Sequence, residues 1–117
     1  MEKEFIPYEQ ALALKELGFD EPCFGAWVNN ELFITENEKP KIQSLSINQC
    51  TAPLYQQAFR WFRDEHKLHG WVSFNYENEN YKWELDTDMS LDSYDTYEEA
   101  ELACLKKLIE IVEPKSE

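Results

Sequence analysis

The densest run of oxygen-bearing side chains in this sequence is Asp88-x-Ser90-x-Asp92-x-Tyr94-x-Thr96-x-x-Glu99. Counted from Asp88, it sets oxygen donors at positions 1, 3, 5, 9 and 12 and a backbone carbonyl at position 7, the order in which a calcium loop presents its ligands. Three departures weaken that chemistry: position 6, where such a loop needs glycine, is Ser93; position 8 is Asp95; and the residues before Asp88 read as a strand. Thr96 and Glu99 also have another use. Thr-x-x-Glu ahead of an apolar run is a capping box, and acids in a first helical turn suit the positive end of the helix dipole. Asp88, Ser90, Asp92 and Glu99 are therefore weak metal candidates, and the expectation is a solvated cap with no metal.

His66-x-x-His69 beside Asp64 and Glu65 has the residue types of a zinc or iron site. The spacing straddles the end of a helical pattern, however, where histidine and Lys67 suit the negative end of the dipole. Arg60, Arg63 and Lys67 recur at helical spacing and form the one basic stripe. It could hold a phosphate or an acidic peptide, or pair with the chain's own acids. Cys23, Cys50 and Cys104 are odd in number and lack a C-x-x-C spacing, so they read as reduced core thiols. Gly18, Gly25 and Gly70 form no phosphate cradle, and no G-x-S-x-G or Cys–His motif is present. The reading leans away from an enzyme, and no cofactor is expected.

A net charge of −13 over 117 residues bounds the partners. Such a field repels phosphate backbones and anionic lipid and attracts basic surfaces, so nucleic acid and membrane are not expected as partners. The imbalance is local: ten acids and a single base, Lys82, lie between Glu77 and Glu101. No apolar run reaches the roughly 20 residues of a membrane span, and the first residues lack a signal-peptide pattern, so a cytoplasmic location is expected. Length and 43% hydrophobic residues suit one domain over residues 1–117, with an aromatic-rich core.

Three helices must position these groups, each opening on a Tyr-x-x-Ala tetrad at Tyr8, Tyr55 and Tyr97. Pro7 and Gly18 bracket the first, Thr51-Ala52-Pro53 reads as a turn ahead of the second, and Pro114 closes the third. The tetrads are ordinary helix-start residues, so a duplicated unit does not follow from them. Between the helices the apolar period changes to two. Phe24–Val28 and Glu31–Thr35 around Asn29-Asn30 read as one hairpin, and Trp71–Glu77 and Tyr81–Asp86 as a second. Ile42–Ile47 is a candidate for a short fifth strand. The expected fold is α+β in order αββ-αββ-α: a two-layer domain with an antiparallel sheet of about four strands and three helices on one face.

Residues 7–19, 57–63 and 97–108 resemble a group of small proteins from Bacteroidetes and their phages that has no assigned activity. The carrying stretches are Pro7-Tyr8-Glu9-Gln10-Ala11-Leu12-Ala13-Leu14, Gln57-Ala58-Phe59-Arg60-Trp61-Phe62-Arg63 and Tyr97-Glu98-Glu99-Ala100-Glu101-Leu102. The resemblance implies origin in phage or prophage-like DNA and transfers no catalytic residue.

Alternation in the second hairpin turns Val72, Phe74 and Tyr76 inward with Tyr81, Trp83 and Leu85, leaving Ser73, Lys82, Glu84 and Asp86 outside. In the first, if Phe24, Ala26, Val28, Leu32 and Ile34 face the helices, Trp27 and Phe33 lie on the outer face. Exposed rings inside an acidic rim have the anatomy of a protein-binding surface. Trp27, Phe33, Trp71, Glu84, Asp86 and Asp88 are thus the expected contact residues, for a basic protein partner or for self-association. The expected function is that of a phage-type accessory protein acting by protein–protein interaction, for example by inhibiting a basic host or defence protein. The alternative is a small-ligand, nucleotide-like binding protein or an enzyme, in which aromatic rings and Arg60 or Arg63 would share a pocket.

Overall fold

The structure, a computed structural model, describes residues 2–29, 31–34, 49–86 and 88–113. The chain forms two compact units, Met1–Gln57 and Ala58–Glu117. The fold is α+β, with three helices and two small antiparallel sheets. Among the described residues no helix is long and apolar enough to cross a membrane.

In the first unit, helix α1 (Tyr8–Glu16) is followed by strands β1 (Gly25–Val28), β2 (Glu31–Ile34) and β3 (Gln49–Ala52). Gly18 ends α1. Its φ of 101° is one a side chain disfavours, and its N–H donates to the Lys15 carbonyl while Phe19 N–H reaches back to Leu14. Phe19 and Leu14, both buried, make the apolar contact that accompanies this stop. The sheet order is β2-β1-β3. Val28 pairs with Glu31, so the turn has two residues, and Asn29 supplies the positive φ of 52° that such a turn needs.

The third strand was not expected. Thr51 and Ala52, read from sequence as part of a turn, pair with Ala26 and Gly25. A central β1 needs hydrogen-bond partners on both edges, and the small buried Cys50, Thr51 and Ala52 fit closely beside it. The fifth strand expected at Ile42–Ile47 lies outside the described residues.

Helix α2 (Tyr55–His66) begins at its tetrad, as expected. The second unit continues with β4 (Gly70–Asn75), β5 (Asn80–Leu85) and α3 (Tyr97–Val112). Thr96 caps α3 by accepting from Glu99 N–H at 3.2 Å, while its hydroxyl donates to the Glu99 carboxylate at 3.0 Å. Cys104, Leu105, Leu108 and Ile109 form its buried stripe. β4 ends earlier than expected, at Asn75 rather than Glu77, because the Asn75 side chain accepts from Glu77 N–H at 2.9 Å and turns the chain at once, and β5 begins at Asn80, one residue before the expected Tyr81.

One sheet carrying three helices is therefore replaced by two sheets of three and two strands. Each hairpin closes locally and takes its own helix: α1 packs along β3, and α3 packs on β4 and β5.

Candidate functional site

The register of β4 and β5 sorts their side chains onto two faces. Val72, Phe74, Tyr81, Trp83 and Leu85 share one, with Gly70 at its end, and α3 covers it: Tyr97 meets Tyr81 edge-on at 6.0 Å. Trp71, Ser73 and Asn75 share the other with Glu84, Lys82 and Asn80. Trp71 is directly opposite Glu84 and 44% exposed.

Past β5 the chain doubles back. Ser90 N–H donates to the Trp83 carbonyl, Tyr94 and Tyr81 exchange both backbone bonds, and Met89 bridges Glu84. Met89 is therefore Glu84's neighbour on the side away from Trp71, and it is 56% exposed. The return carries two more residues than β5 between these bridges, and Leu91 protrudes there, 97% exposed. The result is a row Trp71–Glu84–Met89, an acid between two apolar groups. An open depression of about 480 Å³ lies beside it, lined by Ser73, Asn75, Tyr76, Lys82, Glu84 and Met89.

The remaining candidates divide. Asp86 directly follows β5, where the His69 ring N–H donates to its carboxylate at 3.0 Å. That bond holds the carboxyl below the usual aspartate range. Asp88 accepts from Met89 N–H at 2.8 Å and turns the chain into the return. Trp27 is corrected: its partner in β2 is Leu32, whereas Phe33 pairs with Ala26, so the two rings lie on opposite faces. Trp27 is half-buried on the helix side, with its indole N–H donating to the Ile6 carbonyl at 3.1 Å and its ring edge-on to Tyr8. Phe33 remains 51% exposed.

The calcium pattern is taken apart by the same contacts. Ser90 is buried with its hydroxyl accepting from Trp83 N–H at 3.3 Å, and Glu99 is engaged in the cap. Among the described residues, no three His, Cys, Asp or Glu side chains gather as a metal site requires. His66 packs against Trp61 and Phe62, while His69 serves Asp86. The basic stripe is interrupted as well. Arg60 and Arg63 are exposed on α2, but Lys67 lies past its last residue in a left-handed conformation, φ 58°, with Nζ on the Asp64 carbonyl.

Burial pushes the Cys104 thiol up to about 12, helped by the Glu101 charge, and the Cys50 thiol up to about 11. Neither thiol is activated as a nucleophile. A second depression, of about 270 Å³, includes Trp83, Asp88, Asp92 and Lys107; neither it nor the larger one includes Arg60, Arg63, His66 or His69.

Sequence reasoning missed Met89 and Leu91. Their signal was the alternation Met89-Ser90-Leu91, a half-buried strand pattern too short to stand out in a stretch so rich in acids.

Comparison with protein-family models, with curated proteins and with solved structures finds no match for this chain.

Proposed function

We propose that this protein acts by binding another protein, through the open face of β4 and β5, and that the partner presents a basic surface. The observation that carries the reading is the row Trp71–Glu84–Met89, apolar groups exposed around an acid. Tryptophan is the side chain most often found to dominate interface energetics, and acids around it select the charge of what docks. Glu77, Glu79, Asp86 and Asp88 supply that rim in a chain of net charge −13. The accessory, phage-type character of the proposal rests on the resemblance of the helical segments.

The test is affinity capture by the tagged protein at low and high salt, with the captured protein identified and its binding remeasured in pure form. A basic partner whose affinity falls about 30-fold or more with Trp71→Ala, the loss of a 2 kcal/mol anchor, supports the reading. Glu84→Lys should weaken the same complex and flatten its salt dependence. Unchanged binding by both variants refutes the assignment of this face.

A further inference from the structure

The direction of the backbone bonds in β5 determines what β4 has left over. Tyr81 exchanges both of its bonds with Tyr94, the Trp83 carbonyl accepts from Ser90, and Leu85 N–H donates to Asp88. These three residues point away from β4. Successive residues of a strand direct their backbone groups to opposite sides, so Asn80, Lys82 and Glu84 point toward it. The bond from Asp86 N–H to the His69 carbonyl, 3.2 Å, extends the same set. Their partners Asn75, Ser73 and Trp71 therefore use their N–H and C=O groups on β5. Gly70, Val72 and Phe74 direct theirs to the outer edge, and among the described residues no strand pairs with it.

An edge of this kind is normally guarded by a charge, a proline or a bulge, because it is a template for another strand. The β4 sequence Gly-Trp-Val-Ser-Phe-Asn contains no charge and no proline, and its six-residue register with β5 runs without a bulge. Acids outnumber bases around the edge: Glu77 and Glu79 lie at the turn, and Glu84 and Asp86 lie across the ladder with Lys82, which is opposite Ser73. Two copies meeting edge to edge would bring together chains of net charge −13 each. Repulsion disfavours a second copy, whereas a strand rich in lysine or arginine is attracted.

We infer that β4 is a strand-acceptor edge, and that it binds an extended basic segment of a partner protein as a further antiparallel or parallel strand. Side chains of the added strand that share the face of Trp71 lie next to it, so the edge and the face form one continuous surface. This inference rests on the binding face proposed above and adds the mode of binding. The partner's backbone supplies affinity through the groups of Val72 and Phe74, and its basic side chains supply selectivity.

The experiment uses the full chain and a synthetic alternating lysine/valine peptide about as long as β4, with exchange of individual amides followed by NMR. In the free protein the Val72 and Phe74 amides should exchange quickly and those of Trp71, Ser73 and Asn75 slowly. Peptide binding should slow Val72 and Phe74 by about tenfold or more, the effect of a hydrogen bond worth about 1.4 kcal/mol. The same peptide N-methylated along one edge should lose that protection, as should Val72→Pro. The methylated peptide keeps the test valid if Val72→Pro fails to fold. Peptide-induced shifts confined to Trp71, Lys82 and Glu84, with no protection of the edge amides, overturn the inference and leave the binding face standing. A peptide that does not bind overturns it as well. Protection that grows with protein concentration and without peptide identifies a second copy as the occupant, and also overturns it.

Discussion

Replacing Gly70 by alanine measures how closely α3 sits on β4. The backbone at Gly70 is not left-handed, so alanine meets no conformational barrier there. Space is the obstacle. A Cβ at this position would lie 3.0 Å from both Cys104 Sγ and Leu85 Cδ2, and 3.4 Å from Leu108 Cδ1. All three neighbours are buried, and protein interiors are close-packed. Overpacking of this kind costs about 1–3 kcal/mol, while the reduced freedom of the unfolded chain returns about 0.4–1 kcal/mol. The expected result is a net loss of up to about 2.6 kcal/mol. Removing Sγ should relieve the clash, so Cys104→Ala is expected to cost less in the Gly70→Ala background than in the natural chain, with a coupling of about 1 kcal/mol. Urea unfolding of the four proteins reads these quantities from midpoints, provided the slopes agree. If Gly70→Ala is stabilising, or if the two substitutions add within about 0.5 kcal/mol, the close approach of α3 to β4 is refuted.

Two of the four left-handed positions make a matched pair: Gly18→Ala should destabilise by about 1 kcal/mol, and Lys67→Gly should stabilise by up to about 1 kcal/mol, both read by urea midpoints. Nothing lies within 4 Å of a Cβ at Gly18, so that loss is backbone strain alone. Asp86, its carboxyl held low chiefly by the His69 hydrogen bond, contributes stability above the ordinary aspartate range. That contribution is lost as pH falls below about 4 toward the folded value, so the stability gap between the natural chain and Asp86→Asn should shrink in acid denaturation. Cys23, Cys50 and Cys104 are buried, and the latter two are held as thiols. Iodoacetamide at pH 8 should therefore label them only in denaturant, as mass spectrometry would show.

The helix starts were legible because their signals are local. Thr96 and Glu99 cap α3 from within four residues of sequence, and the stop at Gly18 needs only the chain's own carbonyls. The faces of β4 and β5 were legible for a related reason, since strict alternation leaves one arrangement that buries Trp83 and Leu85, but Tyr76, expected inward, lies past the end of β4 and is 85% exposed. β3 was not legible, since Gln49–Ala52 has neither alternation nor large side chains, and pairing with β1 is what makes it a strand. A two-residue turn pairs Val28 with Glu31, which puts Trp27 beside Leu32 and sets Phe33 on the other face. In the candidate site, Trp71 and Glu84 followed from the alternation. Met89 and Leu91 depend on the return along β5, whose hydrogen bonds join residues that no short-range pattern links.

The four tryptophans occupy different surroundings, and that difference turns the chain into its own optical probe. Trp61 and Trp83 are buried and Trp27 has its N–H bonded, whereas Trp71 is the most exposed of the four, at 44%. The red edge of the native emission should therefore belong to Trp71. Because acids surround that ring, a cationic quencher such as caesium should reach it at low salt far more readily than iodide does, and added salt should bring the two together. Light from one indole would then report both the sign of the local field and the moment at which a partner covers it.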